Sequence, residues 1–144
     1  MSKDVLISIQ SVQNLDGKDS DGPELITLGT YDYASDGIVF SYLESELTGL
    51  DGTKTSFRVL PGEVTLTRKG SVNAQMVFRL GEKHNFRYQT AIGALNMGVD
   101  THRLECWLDE HGGNMEIEYD LNVDQSFLSR NKFIIKIREK ELTS

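Results

Sequence analysis

Apolar and polar residues alternate one for one along most of this chain. Val5, Ile7 and Ile9 interleave with Leu6, Ser8 and Gln10, and Ile38, Phe40 and Tyr42 interleave with Val39, Ser41 and Leu43. Val64 and Leu66 alternate with Thr65 and Thr67. Val72, Ala74, Met76, Phe78 and Leu80 alternate with Asn73, Gln75, Val77 and Arg79. The cleanest run is Met115, Ile117, Tyr119, Leu121 and Val123 against Glu116, Glu118, Asp120 and Asn122. A strand points successive side chains to opposite faces, so period two means one dry face and one wet face. The pattern predicts strands near 4–12, 23–34, 37–47, 54–60, 63–69, 71–80, 84–91, 94–109, 113–123 and 131–140.

The punctuation agrees with strands. Asp16-Gly17, Asp21-Gly22, Asp36-Gly37, Asp51-Gly52 and Gly112-Gly113 tolerate the positive φ of tight hairpin turns. Pro23 and Pro61 fall at strand boundaries, where a missing N–H does least harm. Asp124 to Ser129 is the one stretch read as a loop or a single helical turn. Strands at this rhythm make an antiparallel sandwich or barrel. Short turns between consecutive strands favour an all-β, up-and-down meander of about eight to ten strands. Such a meander hides its edges by closing into a single antiparallel barrel. A barrel of this size holds side chains or one small ligand.

Alternation also carries polar groups onto the apolar face. Glu44 follows Ile38, Phe40 and Tyr42 in phase, Arg68 follows Val64 and Leu66, and Tyr88 follows Phe86. Tyr42, Glu44, Arg68, Tyr88 and Tyr119 are therefore the candidate luminal site. A buried charge needs a partner. In one reading Arg68 anchors an anionic group of a ligand between tyrosine walls. In another, Arg68 and Glu44 form an internal pair that needs no ligand. In a third, a bulge turns one of them to solvent.

The 144 residues, 38% hydrophobic, make one domain over 1–144 with a real core. No apolar run approaches the roughly 20 residues of a membrane helix, and no signal peptide is recognisable. One cysteine, Cys106, rules out an internal disulfide and points to a reducing, cytoplasmic location, with the thiol expected to be buried. The net charge of −7 and a pI near 4.9 argue against nucleic acid as a partner. The charge is segmented: residues 1–51 hold ten acids and two bases, and residues 52–103 hold eight bases and three acids. Residues 104–144 return to nine acids and five bases. Complementary segments are expected to pair across the sheet. The alternative is a basic surface patch, from Arg58 to Arg87, that takes an acidic partner.

Several motifs in order resemble a known family. They are Tyr42-Leu43-Glu44, Gly49 through Gly52-Thr53 with Thr55, Arg68-Lys69-Gly70 and Met76-Val77-Phe78. Tyr88-Gln89-Thr90 with Gly93, Met97 and Val99 continues the series, then Gly113 and Tyr119-Asp120-Leu121. Ser129-Arg130-Asn131 leads into Phe133-Ile134-Ile135. This arrangement is similar to the YwiB-like family of small bacterial proteins of unknown function, over nearly the whole chain. The resemblance implies a lipocalin-like, calycin-type barrel. Ala91 stands where the family usually has proline, and the Gly-x-Trp motif of secreted lipocalins is absent. No lipocalin ligand follows, because fold does not give function.

No catalytic constellation stands out. There is no phosphate loop and no Gly-x-Ser-x-Gly elbow. The stretch Asp16 to Gly22 resembles a calcium loop but lacks the closing glutamate. His84, His102 and His111 form no spaced metal pair, and His102 and Cys106 lie too far apart to share an ion. No metal or other cofactor is expected. The favoured function is a non-enzymatic cytoplasmic barrel binding a small anionic or amphipathic ligand. An enzyme using Glu44, Arg68 and Tyr88 ranks lowest. The sequence supports no particular oligomeric state.

Overall fold

The computed structural model describes the backbone of residues 2–15, 18–46 and 50–140, with side chains over the same range except at 15–23. Ten strands appear in it: β1 (Ser2–Leu15), β2 (Lys18–Ala34), β3 (Gly37–Leu43), β4 (Lys54–Leu60) and β5 (Glu63–Lys69). They continue as β6 (Val72–Phe78), β7 (Lys83–Thr90), β8 (Gly93–Asp109), β9 (Gly112–Val123) and β10 (Ser126–Glu139). Each strand pairs antiparallel with the next, and β10 returns to β1, so the meander closes into a barrel. Closure follows from ten amphipathic strands having one dry face each and two edges to hide.

The dry faces meet in the lumen, where an aromatic chain fills the midsection. Phe40 stacks on Phe57 with centroids 4.9 Å apart, and Phe57 meets Phe133 edge-on at 6.4 Å. Tyr119 joins Phe133 to Phe78, at 5.6 and 5.1 Å. Val5, Ile7, Val64, Leu66, Ile117 and Ile135 complete this core. Burying such a side chain is worth roughly 1.5–3 kcal/mol, which makes the midsection a packed plug instead of a channel. Gly29 sits where β2 crosses this packing. A methyl there would collide with the Ile7 side chain and the Ser41 carbonyl.

Strand ends depart from the expected pattern in four places. β3 stops at Leu43, although the Glu44 N–H still donates to the Thr53 carbonyl at 2.8 Å. β6 stops at Phe78, and Leu80 swings out to bridge Thr101 of β8. Asp21-Gly22 is no turn: both lie within β2, where the register shifts opposite Gln10 and Val12. Asp16-Gly17 lies outside the described residues. Asp124 and Gln125 form a two-residue turn with positive φ at both, 49° and 67°, and β10 begins directly after. The helical turn is ruled out because primed turns match strand twist, whatever residues fill them.

The wall has one weak seam. β6 and β7 pair only through Val72–Thr90 and Asn73–Gln89. Below that, the Val77 N–H donates to the Nδ1 of His84 at 3.4 Å, a side chain standing in for a ladder partner. Burial and nearby Arg79 hold the His84 pKa below its ordinary value, which keeps the ring neutral and able to accept.

The expected mixing of charge holds over part of the surface. Lys3 pairs with Glu139 at 2.7 Å, Arg130 with Asp120 at 2.9 Å and Arg103 with Glu116 at 3.1 Å. On β4–β7 it is reduced, among the described contacts, to Arg79 with Glu63. Sequence neighbours in a meander are wall neighbours, so a basic block stays a block. Lys54 faces Lys69 directly across β4 and β5. Lys54, Arg58, Lys69 and Arg87 are exposed and make no ion pair among the described contacts.

Candidate functional site

One barrel end carries the β1–β2, β3–β4, β5–β6, β7–β8 and β9–β10 connections. There the apolar phase gives way to polar residues. Glu44, just past β3, is 6% exposed and accepts a hydrogen bond from the Oγ1 of fully buried Thr55 at 2.8 Å. Burial pushes the Tyr42 phenol well above its ordinary pKa, the Glu44 charge adds to this, and Arg68 opposes it. Both charges therefore act on the Tyr42 hydroxyl. Burial raises the Tyr119 phenol to about 12 against the pull of Arg68.

Tyr42, Glu44 and Arg68 line one pocket of about 250 Å³. Its remaining walls are chiefly apolar, from Ile9, Leu25, Leu50 and Phe133, with Ser11 beside them. The pocket thus holds one carboxylate, one guanidinium, a phenol and hydrocarbon. Arg68 is half-buried, yet its Nε is fully enclosed and has no hydrogen-bond partner. Arg68 also borders a cleft of about 500 Å³ on the β6–β7 seam, beside Lys69 and Arg87. The guanidinium is thereby approached from the lumen and from the wall.

Of the five residues singled out from the sequence, Tyr42, Glu44 and Arg68 come together in the pocket, and Tyr119 packs on Phe133 of its wall. Tyr88 is half-buried near the same end of β7, opposite Leu95, and does not line the pocket. Tyr88 sits on β7, whose pairing with β6 is confined to Val72–Thr90 and Asn73–Gln89. Sequence reasoning missed Thr55 and a polar set on β1 and β10. Gln13 and Asn131 both donate to the Ser129 hydroxyl, at 3.3 and 3.0 Å. The signal was present: Ser11 and Gln13 continue the phase of Ile9, and Asn131 and Ser129 continue that of Phe133.

The opposite end holds an apolar cleft of about 600 Å³ between Tyr33, Ile38, Leu60, Leu104 and Leu108. Cys106 opens onto it and is exposed, not buried. The thiol reaches the rim because β8 runs on to Asp109 and shifts register between Thr101 and Arg103. Its apolar neighbours still desolvate the thiol and raise its pKa, so it stays a weak nucleophile. His102, beside the same irregularity, faces out and meets Asp120 at 2.8 Å. Among the described residues, no three His, Cys, Asp or Glu side chains converge as a metal site.

This architecture defines a closed ten-stranded antiparallel β-barrel with a packed aromatic waist and a small amphipathic pocket at one end. Residues 7–135 match the family described as a domain of unknown function, DUF1934, and the chain belongs to that family. It is 29% identical over 119 residues to the uncharacterized beta-barrel protein YwiB of Bacillus subtilis (strain 168), covering 83% of this chain and 82% of that one. The crystal structure of the ywiB protein from Bacillus subtilis superposes with a TM-score of 0.81 at 26% identity, covering 94% and 92% of the two chains.

Proposed function

We propose that this protein is a non-enzymatic, cytoplasmic binding protein whose barrel end takes a small amphipathic ligand with its anionic group on Arg68. The observation carrying this is the enclosed Nε of Arg68, an ionised donor without an acceptor. A buried donor left unsatisfied costs about 1–3 kcal/mol, and more when charged, and a ligand carboxylate removes that cost. Ile9, Leu25, Leu50 and Phe133 offer hydrocarbon to the rest of the ligand. At roughly 30 Å³ per water-sized unit, the pocket admits about eight non-hydrogen atoms. In this reading the lumen is the working part, as in a lipocalin-like barrel.

Titration calorimetry with straight-chain carboxylates from acetate to octanoate tests this. Affinity should rise with chain length to about hexanoate, then fall, and Arg68→Met should abolish it in a protein still folded by circular dichroism. Equal binding by wild type and Arg68→Met, or no binding of any member by wild type, overturns the reading. The cationic wall favours a second reading, an acidic protein partner. Arg58 lines neither the pocket nor the seam cleft. Loss of a captured partner on Arg58→Glu, with carboxylate binding intact, would support that reading instead.

A further inference from the structure

We propose that the cleft on the β6–β7 seam is a second binding site, for a phosphorylated sugar of hexose phosphate size. It stands apart from the lumen pocket, since Lys69 and Arg87 line the cleft and do not line that pocket. Its charge is one-sided. Arg68, Lys69 and Arg87 all border this space of about 500 Å³, and no Asp or Glu does. Lys69 also faces Lys54 directly across β4 and β5. Like charges set opposite each other on a sheet are destabilising, and a bound anion relieves them. His84 borders the cleft too, but its ring is held neutral and accepts from the Val77 N–H, so it adds no charge.

The backbone supplies a further donor. The β6–β7 ladder stops at Asn73–Gln89. In a strand, the main-chain N–H groups that face one neighbour recur at alternate residues. The Val77 N–H points across the seam to His84, so the Gln75 N–H points the same way, with no ladder partner on β7. A phosphoryl group brings a charge of about −1.5 to −2 and three strong acceptor oxygens. That matches two exposed cations and a main-chain N–H, with the Arg68 charge behind them, better than a singly charged carboxylate does. The rim is neutral and polar: Gln75, Asn85 and Gln89 present amides, and Thr67 a hydroxyl. An amide offers donors and an acceptor at one tip, which is what sugar hydroxyls require. At roughly 30 Å³ per water-sized unit, the cleft admits about sixteen non-hydrogen atoms, the size of a hexose phosphate.

Titration calorimetry on the full chain, at low salt, compares glucose 6-phosphate and fructose 6-phosphate with glucose and with inorganic phosphate. At least one hexose phosphate should bind roughly tenfold or more tighter than phosphate, because the amides add hydrogen bonds to its hydroxyls, and glucose should bind weakest. Lys69→Gln and Arg87→Gln should each weaken the hexose phosphate about tenfold, as one charged hydrogen bond is lost. Both side chains are exposed, so either variant should fold. Neither should change hexanoate binding, because neither residue lines the lumen pocket. Failure of both hexose phosphates and phosphate to bind, or binding indifferent to both substitutions, overturns the site. Phosphate or glucose binding as tightly as the better hexose phosphate overturns the phosphorylated sugar as its ligand. Hexose phosphate binding in a protein that takes no carboxylate supports this site and removes the lumen reading alone.

Discussion

Thr55→Val is the sharpest probe of how the pocket is held open and charged. Thr55 is fully buried, and its hydroxyl donates to Glu44 Oε1 at 2.8 Å. Valine keeps the branched shape and deletes that donor. A hydrogen bond to a charged group contributes about 1.5–3 kcal/mol, and the new methyl returns about 0.8 kcal/mol of apolar burial. The net loss is therefore about 1–2 kcal/mol. For a chain of this length each kcal/mol moves the midpoint by about 3 °C, so Tm should fall about 3–6 °C. Differential scanning calorimetry measures the shift. A double-mutant cycle with Glu44→Gln isolates the pair, which should show a coupling of about 1–2 kcal/mol. A Tm unchanged within about one degree, or a cycle that closes to zero, would refute the claim that Thr55 holds the Glu44 carboxylate.

Gln125 adopts a left-handed φ of 67° without being glycine. Gln125→Gly should therefore stabilise the β9–β10 turn by up to about 1 kcal/mol, read as a raised urea midpoint. Gly29→Ala should destabilise by about 1–3 kcal/mol, because the added methyl has Ile7 and the Ser41 carbonyl in its way; an unchanged midpoint would refute the packing described at that crossing. Tyr119 keeps its proton to about 12 when folded, whereas an unfolded phenol ionises near 10. Its contribution is present below pH 10 and is lost as pH rises from 10 to 12, amounting to about 1.4 kcal/mol by pH 11. Urea unfolding at pH 9 and 11 should show this loss, and Tyr119→Phe should lessen it.

Period two in β1, β3, β5, β6 and β9 carries the fold openly, because each strand has one buried and one solvated face. The closed barrel follows from edges that have to be hidden. Strand ends are less visible. Glu44 and Leu80 continue their alternation on paper, but tertiary geometry takes over once the barrel's end is reached. Asp124-Gln125 was hidden for a different reason, as a primed turn without glycine. The site was readable wherever a charge fell in phase with the core, as with Glu44 and Arg68. How closely those two would approach was not, since that depends on barrel tilt and stagger. Tyr88 shows the same limit. Its phase is right, but the pocket closes without it. The charge block on β4–β7 could have been foreseen from the meander itself.

Central to the proposed function is the Arg68 Nε–H, an enclosed donor that awaits an anion. Its ¹H–¹⁵N correlation, assigned by its loss in Arg68→Lys, reports on that one atom. Titrating hexanoate into the labelled protein should move this resonance downfield in a saturable way, as a charged hydrogen bond forms. A resonance that stays fixed while hexanoate, or any other of the short carboxylates, is raised to millimolar concentration would contradict the proposed function.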